Sequence, residues 1–373
     1  MPRIFSRLSL TVAITLVTCG ALAQQFKPAV YYQTGTPPAL PMGTVSADFN
    51  HDGAPDLAVA DYYNGHAVIL LNQGNGTFQT VFTFPTPSSP VSLAAGDLNG
   101  DGNVDLVAVN SPSGTVGSVA VFLGSGDGKF TRAGAYKVGV EPTQAVVADF
   151  NGDGFLDVAV TNPKGGGVMV FPGNGQGNLG TPTSYRGTAS PYAIAAADVN
   201  GDGHPDLVVA GAQGSVAILL NNGDGTFTGA ASYPIGKEAD SIAVGDLNHD
   251  GKLDIAVCVA LDQGIDLLLG NGDGTFGAVT FYSTTSAGNA PNGVVFRDFN
   301  LDGKVDLAIS TAQGNLGIFY GNGDGTLQSL VPVAIAGGGA GALVASDFNK
   351  DGAPDLAASI PAADRVGVLL NTQ

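Results

Sequence analysis

Short apolar runs alternate with glycine-rich polar breaks along most of the chain, and no stretch carries the 3.6-residue period of a helix. One order of segments recurs. A slim run of Ala, Gly, Ser and Val, such as Ala195-Ala196-Ala197, precedes an acidic loop. An apolar run follows the loop, as at residues 57–60, 207–210 and 307–310. After a connection comes a second apolar run (217–220), then a Gly-rich turn (223–227), then a weaker alternating segment containing Tyr233. Each unit therefore predicts four short strands joined by turn chemistry.

The acidic loop begins at Asp48 and recurs at Asp97, Asp149, Asp198, Asp246, Asp298 and Asp347, at intervals of 48 to 52 residues. A four-stranded unit of about 50 residues cannot bury both faces alone, so neighbours must stack. Seven such units predict an all-β fold, a seven-bladed β-propeller of four-stranded antiparallel blades. The small residues before each loop suit the narrow inner edge of a wedge. The last unit stops at Leu369-Leu370-Asn371, one strand short. Residues 26–34 read like the missing strand, so the N-terminal segment is expected to complete the last blade and close the ring.

Arg3 and Arg7, an apolar run at 8–17 and Ala21-Leu22-Ala23 have the layout of a secretory signal peptide over 1–23, cleaved after Ala23. A lipidated Cys19 is the rival reading, and Thr18 before it fits poorly. Residues 24–373 are then expected to form a single propeller, secreted, periplasmic or at the cell surface, with no transmembrane segment and as a monomer. Cys258 would be its only thiol, in an apolar run where a small core residue belongs. The 56 glycines among 373 residues follow no Gly-X-Y period, which excludes collagen. The apolar share of 44% excludes disorder, and a net charge of -18 leaves nothing to neutralise nucleic-acid phosphates.

Acid is concentrated in the loops, which hold 21 of the 32 acidic residues. Each places Asp, Asn, Asp and Asp at positions 1, 3, 5 and 9, with Gly at position 6. The sets are Asp48, Asn50, Asp52 and Asp56; Asp97, Asn99, Asp101 and Asp105; Asp149, Asn151, Asp153 and Asp157; and Asp198, Asn200, Asp202 and Asp206. They continue with Asp246, Asn248, Asp250 and Asp254; Asp298, Asn300, Asp302 and Asp306; and Asp347, Asn349, Asp351 and Asp355. Alternate positions of a tight turn point inward, so these oxygens and the position-7 carbonyl suit Ca²⁺, up to seven ions, better than Mg²⁺. Asx turns alone explain one Asp per loop rather than four oxygen donors at fixed offsets. An EF-hand is rejected, because position 12 is never a carboxylate and a strand follows. A nine-residue calcium β-roll is rejected by the period.

Asp-x-Asn-x-Asp-Gly-x-x-Asp loops in phase with Asn-Gly-Asp-Gly-Thr-Phe turns resemble FG-GAP/VCBS-type repeats, over essentially all of residues 24–373. The resemblance implies the fold of the integrin α-subunit N-terminal propeller, calcium on the loop residues named above, and associations with adhesion, ligand recognition and extracellular scaffolding.

The Gly-rich turns carry Asp127, Asp224, Asp273 and Asp324, but Asn75 and Gln176 elsewhere, which a hairpin turn explains more cheaply than a second metal set. The connections opposite the calcium loops are the expected ligand surface, with Asp61, Tyr62, Tyr63 and His66 in the first blade as candidates. No catalytic cluster is visible. Arg297 breaks the small-residue rule and either lines the axis or pairs with a neighbouring loop. These features predict an extracellular binding or adhesion module for a protein or glycan. The alternatives are a carbohydrate-active lyase or hydrolase on the same scaffold, or a purely structural envelope component.

Overall fold

The computed structural model describes residues 25–373, so the expected signal peptide and Cys19 lie outside the described residues. These residues form seven four-stranded sheets. Within each sheet the strands are antiparallel and, in six blades, follow chain order from the axis outward. The first blade runs Pro41–Ala47, Asp56–Asp61, His66–Asn72 and Phe78–Pro85. Among the described residues no helix is long and apolar enough to cross a membrane.

The seventh blade is closed by the other end of the chain. Val30–Gln33 pairs antiparallel with Arg365–Leu369, Val30 opposite Val368 and Gln33 opposite Arg365. Phe26 bridges Asn371, and the Lys27 amide donates to the Leu370 carbonyl at 2.8 Å. Phe26 is buried and packs on Phe299 of the sixth blade, with ring centroids 6.3 Å apart.

Burial explains the uneven hydrophobic pattern. The second strand of every blade is buried along its whole length, so it reads as a continuous apolar run. Outer strands face water on one side and alternate, as in Phe78–Pro85. Between blades, position 2 of each acidic loop supplies an apolar plug: Phe49, Leu98, Phe150, Val199, Leu247, Phe299 or Phe348, each at most 3% exposed. Several plugs meet the aromatic residue of the next blade's Gly-rich turn edge-on, as Phe49 meets Phe130 and Phe150 meets Phe227. Outer-strand tyrosines add a polar tie. Tyr136 and Tyr233 accept the Leu179 and Phe276 amides of the following blades at 2.9 and 2.8 Å. Glycine is required in these turns where blades touch. Gly76 has φ +77, and a Cβ there would stand 2.5 Å from a Leu370 methyl of the seventh blade.

Closure joins residues more than 300 positions apart, so its loss removes a whole strand and exposes a sheet edge. A chain beginning at about Gly35 is expected to lose cooperative thermal unfolding in calorimetry; unchanged melting would contradict closure.

Candidate metal centres and the opposite face

The seven acidic loops share one internal hydrogen-bond pattern. The position-1 carboxylate accepts the position-6 glycine amide at 2.8–2.9 Å in every copy. The position-3 amide oxygen accepts the position-5 amide. The position-5 carboxylate accepts the position-7 amide. Two turns of left-handed backbone make this possible. Position 6 is always Gly, at φ +75 in Gly53, with no atom crowding it except the distant Lys350 ammonium. Position 4 is also left-handed, and there four copies place His51, His249, Leu301 and Lys350 where glycine would be easier.

Position 9 does something the spacing did not reveal. In all seven loops one oxygen of this aspartate accepts the position-2 amide at 2.9–3.0 Å. The other accepts the amide just beyond, or at the end of, the third strand, at 2.6–2.9 Å. These carboxylates are at most 1% exposed. The position-2 carbonyl then reaches across to the next blade. It accepts a side-chain amide from Asn72, Asn221 or Asn371, or a turn amide from Gly128, Gly177 or Gly274. The sequence signal was an Asp opening every buried second strand.

Burial pushes the Asp56 carboxyl up to about 7, and Asp306 and Asp355 to about 6, with the loop's other carboxylates adding to the push. Burial likewise raises Asp105, Asp157, Asp206 and Asp254. At position 5 the sign reverses, since the position-7 amide holds Asp101 and Asp202 below the usual carboxylate range.

Among the described residues no three His, Cys, Asp or Glu side chains form a ready coordination cluster, and the carboxylates at positions 1 and 5 accept the loop's own amides. In kind the donors fit a hard cation. Positions 1 and 5 supply carboxylate oxygens and position 3 an amide oxygen within one small loop, with no nitrogen or sulfur donor required. The Gly-rich turns behave as turns. Asp224, Asp273 and Asp324 are exposed and each accepts the amide two residues on.

At the other end of the axis the inner strands open into a cavity of about 740 Å³, with all seven blades in its wall. Tyr62 lines it. Tyr63 packs edge-on against Tyr62 at 5.5 Å and is 62% exposed. Asp61 is buried and bonded to the Asn64 side chain at 2.7 Å, so it is spent on the turn. His66 is half-buried and paired with Pro85 in the strand ladder. Of these four residues Tyr62 alone lines the cavity, with Tyr63 exposed against it, Asp61 in the turn and His66 in the ladder. Arg297 makes no ion pair among the described residues and lines a second axial cavity of about 620 Å³ at the acidic-loop end.

The FG-GAP-like repeat family matches residues 48–108, 98–160, 149–209, 198–257 and 298–358, and the chain belongs to that family. Residues 258–297 fall between the last two matches, yet the fifth blade, whose loop at Asp246 lies inside the 198–257 match, has the same four strands and the same loop bonds as the others. No curated protein matches the chain. Among solved structures, BBS1N in complex with ARL6DN is similar at TM-score 0.62 and 12% identity, covering 93% of this chain and 98% of that one. An Agrocybe aegerita lectin that recognises non-reducing terminal N-acetylglucosamine is similar at TM-score 0.55 and 18% identity, covering 90% and 86%. A functionally unknown protein from Desulfotomaculum acetoxidans reaches 0.58 at 15% identity, covering 79% and 90%. At these identities the likeness is one of fold.

Two outcomes follow from the loop chemistry. Asp206→Ala strands two buried amides and is expected to cost about 2–4 kcal/mol in urea unfolding with or without chelator. Exposed Asp202→Ala should cost far less in chelator; equal losses would contradict the buried role of position 9. A carboxyl raised in the folded state binds its proton earlier than in the unfolded chain, so its contribution is present at low pH and lost as pH rises through the folded value. In chelator the melting temperature should therefore climb as pH falls from about 7.5 to about 5. A fall over that range would contradict the buried, uncompensated state of these groups.

Proposed function

We propose that the chain is a secreted, calcium-stabilised propeller that serves as an extracellular binding module, with a glycan as its ligand. The observation that carries this reading is the division between its two ends. One end repeats a single acidic loop seven times with the same bonds, as a structural element would. The other gathers different side chains from every blade, polar and apolar, around a cavity of ligand size.

Calcium would be held by the side chains at positions 1, 3 and 5 of each loop. Bound there, it would supply positive charge where three carboxylates per loop now repel one another. Asp48, Asn50 and Asp52 present the oxygens, and Gly53 permits the turn that brings them together. Position 9 anchors the loop to the sheet from beneath. The sequence features of the leader support export to a compartment where calcium is abundant, and loops of this type are expected to bind it with dissociation constants on the order of 10⁻⁴ M.

A glycan suits the cavity because its wall mixes hydroxyl and amide side chains with Tyr62 and Tyr192. The lectin with a related fold shows that such a propeller can be a sugar-binding protein, and the ARL6 complex shows one that meets a protein partner.

Calorimetric titration of exhaustively chelated protein should give heat on calcium addition together with a higher melting temperature; the absence of both would refute the metal reading. Purified protein on a glycan array, paired with polysaccharide-turnover assays, should bind without releasing product. Product formation would instead identify an enzyme, and capture only of protein ligands would overturn the glycan.

A further inference from the structure

Five of the seven inner strands are irregular at the same place. Their pairing shifts between Pro41 and Thr44, Pro90 and Ser92, Pro191 and Ala193, Ala239 and Ser241, and Pro291 and Gly293. A bulge of this kind bends the strand and re-aims a side chain, and bulges concentrate next to binding sites. The residues set at these shifts include Met42, Val91, Tyr192, Asp240 and Asn292, and every one of them lines the large axial cavity. In a chain whose acidic loops are copied seven times, this ring is chemically different in each blade.

The polar members are neighbours, contributed by the fourth, fifth and sixth blades. The side chains of Tyr192, Asp240, Ser241 and Asn292 make no hydrogen bond or ion pair among the described residues. Their counterparts in the third blade are spent. The Thr143 hydroxyl donates to the Tyr192 carbonyl at 2.6 Å, and the Gln144 side chain accepts the Ile194 amide at 3.0 Å.

Charge narrows the ligand. Only Glu141, Lys164 and Asp240 among the cavity-lining residues carry a charge at neutral pH, and Glu141 pairs with Lys164 at 3.5 Å. One negative charge is left, on Asp240. Burial, with Glu238 nearby, raises this carboxyl to about 6, so it is still ionised at neutral pH. A half-enclosed charge without a partner favours a cationic ligand over a neutral one. Tyr192 stands beside it, 38% exposed. Its phenol is raised by enclosure and then by the charges of Asp240 and Glu238. An aromatic face next to a carboxylate suits an ammonium group on a ring-shaped body.

We propose that this arc binds an amino-sugar residue of a glycan, with the ammonium group against Asp240, the ring on Tyr192 and hydroxyls reaching Ser241 and Asn292. The proposal rests on the glycan reading above and specifies its site and charge. Three β-1,4 disaccharides that differ at C2 test it: fully deacetylated chitobiose, diacetylchitobiose and cellobiose, titrated calorimetrically into the full chain with calcium present. The deacetylated sugar should bind at least about tenfold more tightly than the other two, about 1.4 kcal/mol. Asp240→Asn should erase that preference while leaving the melting temperature within a degree or two or raising it, since no contact is lost. Tyr192→Ala should weaken all three sugars. Equal affinity for the three, tighter binding of the acetylated sugar, absence of binding, or a preference that survives Asp240→Asn would each overturn the proposal. If the protein still binds glycans on an array while both substitutions leave that binding unchanged, the module reading stands and this site assignment fails.

Discussion

The ring depends on a buried carboxylate that faces two ways. Each position-9 aspartate holds the amide of the interblade plug with one oxygen and the end of the third strand with the other. The same short loop therefore closes its own blade and presents a plug to the next. Its position-2 carbonyl completes the link, since it accepts from the following blade at six of the seven junctions. Burying an ionised group without a cation is costly, and two amides per carboxylate are what the described residues offer against that cost. Burial raises Asp56 to about 7 despite its two amide bonds, with Asp52 and Asp48 adding to the rise, so the amides do not fully offset the burial.

This arrangement gives the acidic loops two layers with different chemistry. The inner layer is position 9, dry and fixed by the backbone. The outer layer is positions 1 and 3, half-buried, and position 5, exposed, bonded to amides that a cation would rearrange or reinforce. Under the calcium reading the ion acts on the outer layer and its field relieves the inner one. The propeller then has one end devoted to cohesion, which frees the other to vary.

The blades, their number and the closure by residues near Phe26 were legible because strand periodicity and turn chemistry are local, and seven copies average out noise. The slim inner strand was legible for the same reason. The second role of Asp206 was not, because it depends on the amides of Val199 and Asn221, which the repeat alone does not bring together. Contacts such as Asn72 to Phe348 join residues 276 positions apart and leave no mark on a periodic pattern. Polarity at a loop end does not distinguish a turn-forming carboxylate such as Asp61 from one facing solvent, nor a ladder residue such as His66 from one free to meet a ligand. Asp240 and Tyr192 escaped notice because a bulge, invisible in sequence, decides where they point.

Native-state hydrogen exchange in chelator tests the role of the buried aspartates most directly, because it reads individual amides without altering the chain. The position-2 amides of Phe49, Phe150 and Phe348 should be protected almost as strongly as the central strands, while the position-5 amides of Asp52, Asp153 and Asp351 exchange faster. Equal, rapid exchange at both positions would show that the loops are held by the metal alone and that the carboxylate clasp does not support the ring.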